Sequence, residues 1–286
     1  MRAKNIISGV VIFLLLYTGC TERIDLKLNN TAPRLVVEGS VTTDTMIHFV
    51  RLSLSGDFFT NERMPAVTGA KVSISDGIEL IPLKESAAAP GFYITPTNYH
   101  GIPGRTYSLK IENVDINNDG VKESYTAESH LNPVTPIDSV KLEYEDTFEL
   151  WKVLLYANEP ANTTNFYMFN LIINDTVYTD QMTEVTIADD RFINGSYANG
   201  VWVHSIYDDD ESISLTPGDT ITLIMSSISE EFYNYIVALQ TETRISVPLF
   251  SGPPANLPGN ISNGALGFFR AYSNTYGYSV FTEEKK

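Results

Sequence analysis

Apolar and polar residues alternate with period two through much of this chain, in short runs closed by Gly, Pro, Asn or Asp. Between Arg34 and Thr135 the runs are LVVEGSV, HFVRLSLS, AKVSIS, FYITP, YSLKIE and SYTAESH. Alternation of this kind predicts strands with one buried face. In AKVSIS, Ala70, Val72 and Ile74 point one way while Lys71, Ser73 and Ser75 point the other, and Asp76-Gly77 then turns the chain. No helical stripe of useful length interrupts the block. Residues 34–135 are therefore expected to form a β-sandwich of about seven short strands.

The turn-prone sequence LNPVTPIDS marks a boundary, and a second block covers residues 136–286. IDSVKLEYE, KVLLYAN, FYMFNLIIN, TVYTD, EVTIA, VWVHSIY and TITLIMSS read as strands richer in aromatics than the first set. One segment has a different period. In SISEEFYNYIVALQTETR, Ser227 and Glu230 have capping-box spacing, and Phe232, Tyr235, Ile236 and Leu239 share a helical face. A helix is predicted near 229–244, packed on a sheet. SGPPANLPGN follows as irregular chain, and GALGFFRAYS returns to a strand. The fold class expected is mainly β: two sandwich-like domains, the second carrying one packed α-helix.

The first residues follow neither period. Arg2 and Lys4 precede an apolar run from Ile6 to Leu16, and small Thr18 and Gly19 precede Cys20, the single cysteine of 286 residues. The run is too short to span a bilayer, which takes about 20 apolar residues. It reads as an export signal. Leu16-Tyr17-Thr18-Gly19-Cys20 resembles the lipobox of bacterial lipoproteins, with Tyr17 where an aliphatic residue is usual. The resemblance implies cleavage after residue 19, acylation of Cys20 and a polar tether over residues 20–33. Several acyl chains hold a protein on a membrane where one does so marginally. Removing residues 1–19 takes away Arg2 and Lys4, so the formal charge of −16 becomes −18. Such a surface argues against nucleic acid as a partner and against adhesion to anionic lipid by charge alone.

The order of RLVVEGSV, PAVTGAKVSISDG, GFYITPTNYHGIPGRTYSLKIE, PIDSV, LTPGDTITLIMSSISEEFYNYI and NISNGALGFFRAYS is similar to that of the exported lipoproteins grouped as domain-of-unknown-function family 4249, common in Bacteroidetes. Through GAKVSIS, the GFY strand and PGRTYSLKI, residues 34–135 also resemble transthyretin-like modules of outer-membrane transporters. The resemblance implies an outer-membrane setting beside TonB-dependent nutrient transporters, on the periplasmic or the extracellular side. It implies no catalytic residues.

Motifs for chemistry are sparse. His48, His100, His130 and His204 are scattered without HExxH spacing, and there is no GxSxG elbow. The expectation is a non-enzymatic protein without an organic cofactor. DINNDG matches the start of a calcium loop, with Asp115, Asn117 and Asp119 at positions one, three and five and Glu123 at position nine, but Thr126 stands where a bidentate glutamate belongs. A hairpin turn uses the same residues, and both readings stand. Asp189-Asp190 and the acidic run Asp208 to Glu211 are read as solvated loop charge. Trp151, Trp202 and the aromatics of FFRAYSNTYGYSVF are read mostly as core, with a sugar platform or a protein interface as the alternative.

The Pro and Gly loop Ser251 to Asn260 is the expected docking arch for a partner. Pro253, Pro254 and Pro258 stiffen it and Leu257 is its apolar contact; the alternative is a clasp that buries Leu257 against Phe250. The function expected is that of a lipid-anchored outer-membrane accessory or ligand-binding partner of a transporter. An independent adhesin or glycan-binding lipoprotein is the second reading, and a hydrolase without a recognisable motif the third.

Overall fold

The computed structural model describes residues 32–56, 64–207, 215–243 and 257–282. Cys20, Phe250, Pro253, Pro254 and Asp208 to Glu211 lie outside them. In chain order the elements are β1 (Leu35–Thr42), β2 (Phe49–Leu54), β3 (Lys71–Ser75), β4 (Leu80–Pro82), β5 (Lys84–Glu85), β6 (Phe92–Ile94), β7 (Thr106–Val114) and β8 (Glu123–His130). They continue with β9 (Ile137–Glu145), β10 (Leu150–Asn158), β11 (Phe166–Ile173), β12 (Thr176–Val177), β13 (Thr186–Asp189), β14 (Tyr197–Tyr207) and β15 (Thr220–Ile228). Helix α1 (Glu230–Thr243) and strand β16 (Leu266–Val280) complete the set. The mainly β class with one packed helix is what the alternation predicts, since each strand places its apolar residues on one face. Val72 and Ile74 of β3, for example, are buried while Lys71 is exposed.

Three sheets result. The largest has the order β12-β11-β15-β16-β1-β2-β6-β5, with β13 also on β11; a second is β4-β3-β7-β8 and a third β14-β10-β9. The four-stranded sheet lies over β1 and β2, and their shared core includes Leu35, Val37, Leu52, Ile74, Leu109 and Ile111. The three-stranded sheet lies over β11 and β15, with Trp151, Val153 and Leu155 against Phe169, Leu171 and Leu223. Gly277 of β16 lets β9 approach closely, because a Cβ there would stand 2.5 Å from Val140 and 2.6 Å from Ile137.

Both cores draw on β16. Its first half runs parallel to β1, from Val36↔Leu266 to Thr42↔Tyr272. Its second half runs antiparallel to β15, from Ser227↔Ser273 to Thr220↔Val280. Ile261, Ala265, Phe269 and Ala271 fill the core of the first block, although they follow it by more than 120 residues. The boundary between residues 135 and 136 thus separates two cores but not the sheet that runs beneath them.

Helix α1 starts one residue after β15, and its cap corrects the expected one. Ser227 is a buried strand residue, and Ser229 is the cap instead, its Oγ accepting from the Phe232 N–H at 3.2 Å. Ser227 and Glu230 have the right spacing, but β15 pairs with β11 as far as Ile228, so the helix cannot begin earlier. Glu230 and Glu231 in the first turn suit the positive end of the helix dipole. Phe232 and Ile236 are buried against Met168, Val185, Ile228 and Phe268. Gln240 ties the far end down through its Nε2, which donates to Val185 O at 2.9 Å. β15 is buried on nearly every residue because the helix side and the three-stranded sheet cover its two faces.

Candidate functional site

A groove of about 440 Å³ opens where α1 stands over the outer face of the large sheet. Register builds its floor. Glu38 pairs with Arg51 across β1 and β2, and with Phe268 across β1 and β16, while Ser40 pairs with Arg270. Residues two apart share a face, so Glu38, Ser40, Phe49, Arg51, Phe268 and Arg270 all line the groove. Tyr235 and Leu239, about one turn apart on the helix, supply the wall.

The two arginines differ. Arg51 Nη1 lies 3.0 Å from Glu38 Oε2, and its guanidinium is 5.7 Å from the centre of the Phe92 ring. Phe92 in turn packs on Phe49 at 5.4 Å. The Arg270 guanidinium lies 4.9 Å from the Phe232 ring and 5.9 Å from that of Tyr272. Its Nε is buried without a hydrogen-bond partner among the described residues. Burial pushes the Tyr235 phenol up from its ordinary range; Arg270 opposes that shift and Glu38 adds to it, so the phenol senses both groups. A second cavity of about 390 Å³ shares Arg51 and Phe92 and extends past Met64 and Pro90. Cations over rings beside apolar side chains make a binding surface for an anion with an apolar part.

Of the aromatics weighed as a platform, Phe268 lines this groove, whereas Asp115, Asn117, Asp119, Glu123, Leu257 and Pro258 do not. In the Asp115 loop the side chains cap the backbone of their own turn. Asp115 Oδ2 accepts from Gly120 N–H at 3.1 Å and lies 3.4 Å from Lys122 Nζ, while Asp119 Oδ1 accepts from Val121 N–H at 2.7 Å. Glu123 accepts from the Tyr125 hydroxyl. Among the described residues no three His, Cys, Asp or Glu are grouped so as to hold a metal ion. Leu257 is half-buried and Pro258 exposed. The end of their loop is fastened rather than free: Asn260 Nδ2 donates to Phe269 O at 2.7 Å and to Glu128 O at 3.0 Å.

Asp190 is not solvated loop charge. It is 1% exposed and accepts from Asn165 N–H at 2.9 Å and Asn194 Nδ2 at 3.0 Å, because the turns after β10 and β13 fold onto each other there. Asp189 is only partly exposed and pairs with Arg191 Nη2 at 2.6 Å. The tryptophans divide. Trp151 is 3% exposed between Tyr144 and Phe281, whereas Trp202 is 47% exposed with Lys152 Nζ 5.9 Å from its ring. Phe268 and Phe269 are core, while Tyr278 near the end of β16 is exposed. Alternation marks Arg51 and Arg270 as outward-facing, but only the register shows that they meet.

A family profile described as "Domain of unknown function (DUF4249)" matches residues 21–276. The chain belongs to the DUF4249 family. The match runs through β1 and most of β16, so the strands that floor the groove all fall within the DUF4249 region. No curated protein matches the chain. Among solved structures, "Crystal structure of chicken CNTN1 FN1-FN3 domains" is similar at 13% identity and a TM-score of 0.26, over 68% of this chain and 60% of that one. The chain thus spans less than two thirds of the length of that structure.

Proposed function

We propose that this DUF4249 chain is a lipid-anchored outer-membrane protein that acts as a non-enzymatic, ligand-binding accessory of a TonB-dependent nutrient transporter. The observation that carries the binding role is the groove under α1, where the Arg270 Nε lacks a partner among the described residues and the exposed Phe49 ring stands on the same sheet face. The anchoring role rests on Cys20 behind its apolar leader. Among the described residues no helix is long and apolar enough to cross a membrane.

The test is affinity recovery of the full-length chain from detergent-extracted membranes. A β-barrel transporter in fixed ratio is the expected companion. Recovery of the chain without a barrel overturns the accessory role and favours an independent adhesin or glycan-binding protein.

A further inference from the structure

We infer that the groove binds a small carboxylate carried on a flat apolar body, with Arg270 taking the carboxylate; this rests on the ligand-binding reading above. Five arginines are described, and four have a hydrogen-bonding partner. Arg34 Nε donates to Gly264 O at 2.7 Å, Arg51 pairs with Glu38, Arg105 with Asp76 and Arg191 with Asp189. Arg270 lies near the rings of Phe232 and Tyr272, and its buried Nε has no hydrogen-bond partner among the described residues. A guanidinium N–H removed from water without an acceptor is costly, as at the Arg270 Nε, and a carboxylate is the acceptor whose planar fork matches the group.

The surroundings narrow the ligand further. Glu38 is the acid of the groove, and its carboxylate is engaged by Arg51 at 3.0 Å, so it does not neutralise Arg270. The lining therefore carries one net positive charge on a chain of net charge −16. Phe49 is 43% exposed, and Phe92, Leu239 and Met182 continue the apolar lining beside it. A bare anion would leave these side chains wet. A purely apolar molecule would cover Arg270 without giving it an acceptor. A ligand with both parts meets both demands, and about 440 Å³ suits a small molecule.

The experiment is calorimetric titration of the full-length chain in a non-ionic detergent. The probes are phenylacetate, 3-phenylpropionate and indole-3-acetate, each against its uncharged amide, and inorganic phosphate. At least one acid is expected to saturate, with its amide and phosphate at least tenfold weaker. Arg270→Gln is expected to lose at least tenfold, and Arg270→Lys, which keeps a cation over the Phe232 ring and so guards against misfolding, to lose less. Glu38→Gln frees Arg51 and is expected to tighten acid binding several-fold. Amides or phosphate binding as well as the acids, undiminished binding in both Arg270 variants, or no binding of any acid at millimolar concentration would overturn the inference. Recovery of a barrel with the wild-type chain is scored separately, so the ligand class can fail while the accessory role stands.

Discussion

His204 and Glu159 show how burial sets the response of single residues to pH. Burial pushes the His204 imidazole down from 6.5 to about 4, and its Nδ1 accepts from Ser205 N–H at 2.7 Å while Nε2 has no partner among the described residues. Between pH 6.5 and about 4 the unfolded chain takes up a proton here that the native chain refuses, so stability falls as pH falls. Glu159 has the opposite sign. Burial raises its carboxyl, assisted by Asp190, although Tyr167 and Asn165 donate to it. Its contribution is present below the unfolded pKa and is lost as pH rises through the raised folded one. Thermal melts against pH check both: His204→Gln is expected to flatten the acid-side slope, and Glu159→Gln to raise the melting temperature at neutral pH. Gly267 is a third single residue with a large expected effect. Its φ of 93° and a Cβ position 2.0 Å from Val37 O leave no room for a side chain where β16 meets β1. Gly267→Ala is expected to cost more than about 3 kcal/mol in a denaturant melt.

At the scale of elements, what the sequence discloses depends on how local the cause is. Val72, Ile74, Leu109 and Ile111 announce their strands because a half-buried sheet needs period two, and the helix announces itself through Phe232 and Ile236. Its start does not, because pairing of β15 with β11, rather than spacing, holds Ser227 in the strand. Strand β16 runs further than the expected GALGFFRAYS for the same reason: pairing with β15 carries it on from Ser273 to Val280. The groove was not legible at all. Arg51 and Arg270 are far apart in sequence, and only the order β16-β1-β2 brings them under one helix. Sharing β16 also has a measurable effect. A fragment of residues 34–135 loses Ile261, Phe269 and Ala271 from its core and the partner of β1, so it is expected to show no cooperative thermal transition. Recovery of a cooperative melt from that fragment would show that the first block is self-sufficient.

For the whole molecule, the expected topology of attachment is a fold that begins at Leu35 on a tether from an acylated Cys20. Mass spectrometry of the mature N-terminal peptide is expected to show Cys20 as its first residue carrying lipid, and Cys20→Ala to move the protein from the membrane fraction to the soluble one. An intact Met1 in mature protein would contradict the anchor. The parallel pairing of Val36 with Leu266 also governs when folding can finish. Strands separated by some 230 residues must meet before the largest sheet is complete, and loop closure over such a distance makes folding slow and of high contact order. A partly emerged chain therefore presents β1 as an open edge, ready to pair with any extended neighbour. Assembly is deferred until nearly all of the polypeptide is available, a delay that exposes prematurely truncated chains to aggregation and proteolysis.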